Sequence, residues 1–77
     1  MQTTLADIKR GQKATILDVS SSEIPFKLLE MGCLPGSPVE LLHVAPFADP
    51  LYLNINGTHL AIRKETAQNI LIELSDG

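Results

Sequence analysis

Tryptophan is missing from this chain, and two Phe and one Tyr are its only aromatics. Three rings cannot build a base-stacking platform, nor an aromatic groove that reads Pro-rich peptides. A single cysteine cannot form an internal disulfide, which suits a reducing compartment. Apolar runs are only a few residues long, far short of the roughly 20 that span a bilayer. Asp7, Lys9 and Arg10 stand where a signal peptide needs an unbroken apolar stretch. These features predict a soluble cytoplasmic domain. Positive charge is scarce too: six Lys and Arg against nine Asp and Glu, a net charge of −3. Nucleic-acid binding draws its affinity from cations on phosphates, so that class is excluded. Lys9, Arg10 and Lys13 cluster, as do Arg63 and Lys64, but acids interrupt or flank both groups. No G-x-x-x-x-G-K-[ST] loop is present. No carboxylate pair falls in a predicted pocket, and Ser20, Ser21 and Ser22 lack a nearby histidine and read as helix caps. The expectation is a non-enzymatic protein without a cofactor.

What is present is one small domain over residues 1–77. A chain of this size buries only about 60% of its unfolded surface, so its core is marginal. A hydrophobic fraction of 44% nevertheless argues for a folded state. Thr4 to Ile8 predicts a short helical turn capped by Thr3 or Thr4. Gln12 to Val19, rich in β-branched residues, predicts a strand. A helix should follow, starting near Ser22 or Glu23, because Pro25 is tolerated only in a first turn. Ile24, Leu28 and Met31 then form one apolar stripe, with Phe26 and Leu29 a second. Gly32 suits the left-handed position after the helix. Pro38 to Val44 predicts a strand buried on both faces. Asn56-Gly57 is the strongest short hairpin signal. As the turn, it pairs Ile55 with Thr58, Leu53 with Leu60 and Leu51 with Ile62, all on one face. Arg63 to Asn69 predicts a helical turn, and Ile70 to Leu74 a last strand. Five short strands cannot leave long edges exposed, so closure is favoured. The predicted fold is an all-β, SH3-like small barrel, with short helical insertions, the main one between the first two strands.

Three segments carry a resemblance: Leu28-Leu29-x-Met31-Gly32-x-Leu34-Pro35-Gly36, Ala45-Pro46-x-x-Asp49-Pro50, and Leu60-Ala61-Ile62-Arg63-Lys64 followed by Ala67. In this order and spacing they resemble the FeoA family, the small component of bacterial ferrous iron uptake. Ala48 stands where that family usually has Gly, and Phe47 where it often has an aliphatic residue. The resemblance implies an SH3-like barrel that acts with FeoB, a membrane permease for Fe(II) with a cytoplasmic G domain. It also implies an accessory role in iron transport. A similar domain ends some metal-dependent repressors; a stand-alone accessory protein is the expectation here.

The expected partner-binding residues are Lys27, Leu28, Glu30, Met31, Leu34 and Phe47. Two apolar stripes are wider than a small barrel can cover, and Lys27 and Glu30 would rim an exposed apolar centre. The alternative is that these residues only form the lid of the core. Gly32, Pro35, Gly36, Pro46, Asp49, Pro50, Asn56 and Gly57 are expected to shape turns. Phe47, an aromatic in a Pro-bracketed loop, needs either a groove or a partner. A rival reading is an Fe(II) carrier or sensor using His43, His59 and Cys33. These form no close pair of metal-ligand spacing, and no site is expected. A third reading is an accessory domain in metal-dependent transcription. Spare apolar surface also allows a weak homodimer.

Overall fold

The computed structural model describes residues 1–19 and 26–75. The predicted helix start and its caps, with Ile24 and Pro25, lie outside the described residues. Six strands form one antiparallel sheet: β1 (Gln2–Thr4), β2 (Lys13–Val19), β3 (Pro38–Val44), β4 (Leu51–Ile55), β5 (Thr58–Ile62) and β6 (Ile70–Leu74). Their spatial order is β1-β6-β2-β3-β4-β5. Helix α1 (Phe26–Glu30) lies between β2 and β3, and α2 (Lys64–Ala67) between β5 and β6. Short 3₁₀ turns occupy Leu5–Asp7 and Pro46–Ala48.

The main helical insertion therefore follows the second strand, not the first, because Gln2–Thr4 is itself a strand. It pairs Gln2 with Glu73, Thr3 with Ile72 and Thr4 with Leu71. Three polar residues carry no apolar alternation, so pattern alone cannot show this strand; it forms because β6 has a second edge to fill. The 3₁₀ turn at Leu5 forms as expected, yet its threonines do not cap backbone N–H groups. The hydroxyl of Thr3 donates to Asp7 Oδ2 at 2.9 Å instead.

The β4–β5 hairpin has the register that its turn demands. Leu51 faces Ile62, Leu53 faces Leu60 and Ile55 faces Thr58. Asn56 and Gly57 both have positive φ, 51° and 88°, as a type I′ turn requires. Leu51, Leu53, Ile55, Leu60 and Ile62 are all buried. They join Ala14, Ile16, Val39, Leu41, Ile70 and Ile72 on the inner side, with Leu5, Ile8 and Ala67 closing the core.

The expectation that β3 is buried on both faces is not met. Val39 and Leu41 are buried, Leu42 is half-buried, and His43 and Val44 are exposed. Leu41 pairs with Leu53 and His43 with Tyr52, so Leu42 is an extra residue in a β-bulge. A second bulge sits at Leu17, between the Ile16–Ile72 and Asp18–Leu71 pairs. Each adjacent apolar pair, Ile16-Leu17 and Leu41-Leu42, thus marks a bulge rather than a two-sided strand. Bulges add twist, which is how so short a sheet curls around one core.

Two substitutions separate packing from backbone geometry in a urea titration. Leu53→Ala, at a site with no exposure, should cost about 2–5 kcal/mol. Gly57→Ala meets no atom within 4 Å of the added Cβ but keeps the positive φ, so it should cost only about 1–2 kcal/mol.

Candidate functional site

The described residues of α1 run from Phe26 to Glu30 and stop at a well-defined end. Gly32 has φ +103° and follows the last turn. Its N–H donates to the Leu29 carbonyl at 3.2 Å, and the Cys33 N–H donates to the Leu28 carbonyl at 3.1 Å. This pair of bonds is a Schellman motif, and it places Cys33 in the core, against which Leu28, Leu29 and Met31 pack. The next four residues form a second turn: Ser37 N–H donates to the Leu34 carbonyl at 3.0 Å, with Gly36 at φ +92°. Both turns are tied down. Gly36 N–H donates to the Ile16 carbonyl at 2.7 Å, Ile16 N–H donates to Ser37 at 2.9 Å, and the Ser37 hydroxyl donates to the Gly32 carbonyl at 2.7 Å. Leu34 is thereby held outward, 47% exposed, on a fixed turn.

The expected site residues divide into two groups. Lys27, Leu28 and Met31 come together as one wall of an open groove of about 520 Å³. Its other wall is β5 from His59 through Ile62, and Arg63 and Thr66 close one end. Glu30, Leu34 and Phe47 are exposed but do not line that groove. Leu28 and Met31 are half-buried, so they serve both as lid and as surface. Phe26, 72% exposed, is a further apolar residue on α1. Sequence reasoning assigned β5 to the core through its inward residues and missed its outer edge as a wall. The available signal was position: β5 follows the hairpin turn, and a helical segment rather than another strand comes next.

Phe47 is fully exposed and has left-handed backbone, φ 69° and ψ 18°. For a non-glycine residue this conformation costs about 1–2 kcal/mol. The loop holds it there from both sides. Ala45 N–H donates to the Pro50 carbonyl at 3.1 Å, and Asp49 Oδ1 accepts from Lys64 N–H at 2.8 Å. Asp49 thus caps the start of α2 from fifteen residues away. Pro46 takes the first position of the 3₁₀ turn, where its missing N–H costs no bond. The Arg63 and Lys64 side chains make no ion pair among the described residues; Glu73 pairs with the α-amino group of Met1.

The candidate metal ligands are not gathered. His43 on β3 stacks on Tyr52, with ring centroids 4.4 Å apart. His59 lies on β5, beyond β4. Among the described residues, no three His, Cys, Asp or Glu cluster as a metal would need. Cys33 has no exposed surface, and burial pushes its thiol above the ordinary value of 9.0. A neutral thiol favours the folded state, whereas the unfolded chain ionises more readily. Stability from Cys33 is therefore complete below the ordinary value and is lost as pH rises through the raised one. Denaturation midpoints taken from about pH 7 to about pH 10 should fall more steeply for the wild type than for Cys33→Ala.

Comparison with known proteins follows the same outline. The FeoA domain family model matches residues 3–74. A ferrous iron transport protein A/FeoB fusion protein of Porphyromonas gingivalis is 32% identical over 71 residues, which cover 91% of this chain. The chain spans only 8% of that relative's length. The solution structure of a FeoA protein from Chlorobium tepidum superposes with a TM-score of 0.86 at 27% identity, covering 97% of this chain and 72% of that one. The FeoA of Stenotrophomonas maltophilia, solved with zinc and described as a prokaryotic SH3 domain protein, gives a TM-score of 0.78 at 22% identity. That likeness covers 92% of this chain and 89% of the other, and it supports the fold alone. With its curled, SH3-like six-stranded sheet, this chain belongs to the FeoA domain family.

Proposed function

We propose that this domain is a non-enzymatic accessory of ferrous iron transport that docks on the cytoplasmic part of a FeoB-type permease and modulates its assembly or activity. The observation that carries this reading is the Porphyromonas relative, in which a domain like this one is joined to the permease in a single chain. The surface around α1 has the chemistry for such contact. Phe26 and Leu34 are exposed, Leu28 and Met31 are half-exposed, and Lys27 and Glu30 lie on the same helix; Phe47 is exposed on the separate loop between β3 and β4. An apolar centre with a polar rim is the usual plan of a protein interface. Modulation requires one further property: the domain must bind one state of the permease more tightly than another.

The carrier reading has less support. It needs His43, His59 and Cys33 near one ion, and the sheet holds the two histidines on strands separated by β4, with Cys33 in the core.

The test is binding to the purified cytoplasmic part of the permease, with and without guanine nucleotide. Leu34→Gln and Phe47→Ser are the variants of choice, because both side chains are exposed and the fold should survive. Leu28→Gln acts on the same surface but also loosens the core, so circular dichroism must accompany it. At least one exposed variant should weaken binding about tenfold or more, the loss of roughly one anchor residue. Full-strength binding by both exposed variants would remove this surface from the interface, and binding insensitive to nucleotide would leave assembly without a switch.

A further inference from the structure

Among the described residues, the sheet order leaves β5 with a neighbour on one side only. The turn fixes which of its backbone groups face the other side. In a two-residue hairpin the residues flanking the turn, Ile55 and Thr58, exchange both hydrogen bonds. Pairs then alternate. Leu53–Leu60 and Leu51–Ile62 are bonded, while Asn54–His59 and Tyr52–Ala61 are not. The N–H and C=O groups of His59 and Ala61 therefore point away from β4, into the groove beside α1. No described residue bonds to them. Two residues at spacing i and i+2, each offering a donor and an acceptor, form the template that an added strand uses.

The groove also has a sign. Lys27 and Arg63, two of the chain's six Lys and Arg, stand on its walls, and among the described residues no Asp or Glu lines it. In a chain of net charge −3, this is a local reversal. Its floor is apolar, with Leu28 and Met31 on one side and Leu60 and Ile62 on the other.

We infer that β5 receives an extended, acid-flanked apolar segment of the partner, which adds to the sheet as a further strand. His59 and Ala61 supply the backbone bonds. Leu28 and Met31 cover the segment's apolar side chains, and Lys27 and Arg63 pair with its flanking acids. This deepens the docking proposed above and rests on that reading for the identity of the partner, though the edge itself is tested without it.

The probe is a blocked pentapeptide, Asp-Leu-Val-Leu-Asp, titrated into the isotope-labelled chain and followed by amide NMR. The inference expects shift changes and slowed exchange at the His59 and Ala61 amides. Methylating the peptide nitrogen of either leucine, the residues that face His59 and Ala61 when the segment is centred on Leu60, should weaken binding about tenfold, the loss of one hydrogen bond. Replacing both Asp by Lys should weaken it by a similar factor. Ala61→Pro removes an edge donor while leaving every ladder bond of β5, so it should fold and fail to bind. The methylated peptide makes the same test from the other side should that variant unfold. Equal binding of the methylated peptide, shifts mapping away from β5, or absence of binding would overturn the inference. So would edge shifts that depend on protein concentration alone, which would assign the edge to a second copy. If the permease fragment binds wild type and Ala61→Pro alike, docking stands and the added strand falls. If the peptide binds at β5 but the permease fragment does not, the strand stands and the partner is wrong.

Discussion

The type I′ turn at Asn56-Gly57 sets the register of β4 on β5, and that register decides what is inside and what is outside along this edge of the sheet. Side chains alternate with a period of two, so a slip of β5 by one residue would turn Leu60 and Ile62 away from Leu51, Leu53 and Ile55, which β3 holds inward. It would also exchange the bonded and unbonded pairs, hiding the N–H groups of His59 and Ala61 and freeing those of Leu60 instead. Core and edge are two consequences of one turn. The turn is secured locally: Asn54 Oδ1 accepts from Gly57 N–H at 2.9 Å, and Asn56 N–H donates to the Pro38 carbonyl at 2.9 Å. Gly32 lies close by, its absent Cβ only 3.7 Å from the Cβ of Asn56. The hairpin tip and the end of α1 therefore fix each other.

A small domain has little core to spend on holding a surface helix, and here the backbone does much of that work. The Schellman bonds end α1 and drive Cys33 inward. The turn from Leu34 to Ser37 hooks onto both backbone groups of Ile16. Ile16 is also where β2 is about to bulge, so its N–H and C=O serve the turn while its side chain stays in the core. Leu28 and Met31 can then remain half-exposed without the helix drifting, since the positions of its last residues are set by bonds rather than by burial.

The parts of this fold legible in the sequence were those where one local rule and one global pattern agree. At Asn56-Gly57, turn chemistry and apolar alternation name the same register. At Gly32, the helical stripe and the need for a left-handed residue coincide. The first strand was not legible because Gln2, Thr3 and Thr4 hold no apolar residue; only a free edge on β6 makes them a strand. The bulges were read as two-sided burial because Leu17 and Leu42 differ from strand residues in register, not in chemistry. For the candidate site, exposure at Leu34 and Phe47 followed from their turns. The role of β5 as a wall did not, since it belongs to backbone groups that every sequence has and only topology leaves unpaired.

An edge of two residues and a shallow apolar floor make a weak contact, because association must first offset lost translational and rotational freedom. The consequence depends on how the domain meets its target. A module joined to its target by a short flexible chain meets it at an effective concentration of order millimolar, so a weak edge is filled most of the time. Between separate chains the same edge would be mostly empty at micromolar concentrations, unless the exposed residues outside the groove contribute as well. Leu34 and Phe47 are held on rigid turns and lose little conformational entropy on contact. In the proposed docking, the groove would supply orientation and the rigid turns affinity. Weakness is also what regulation needs, since a contact already saturated in both states of its partner cannot respond to the difference between them.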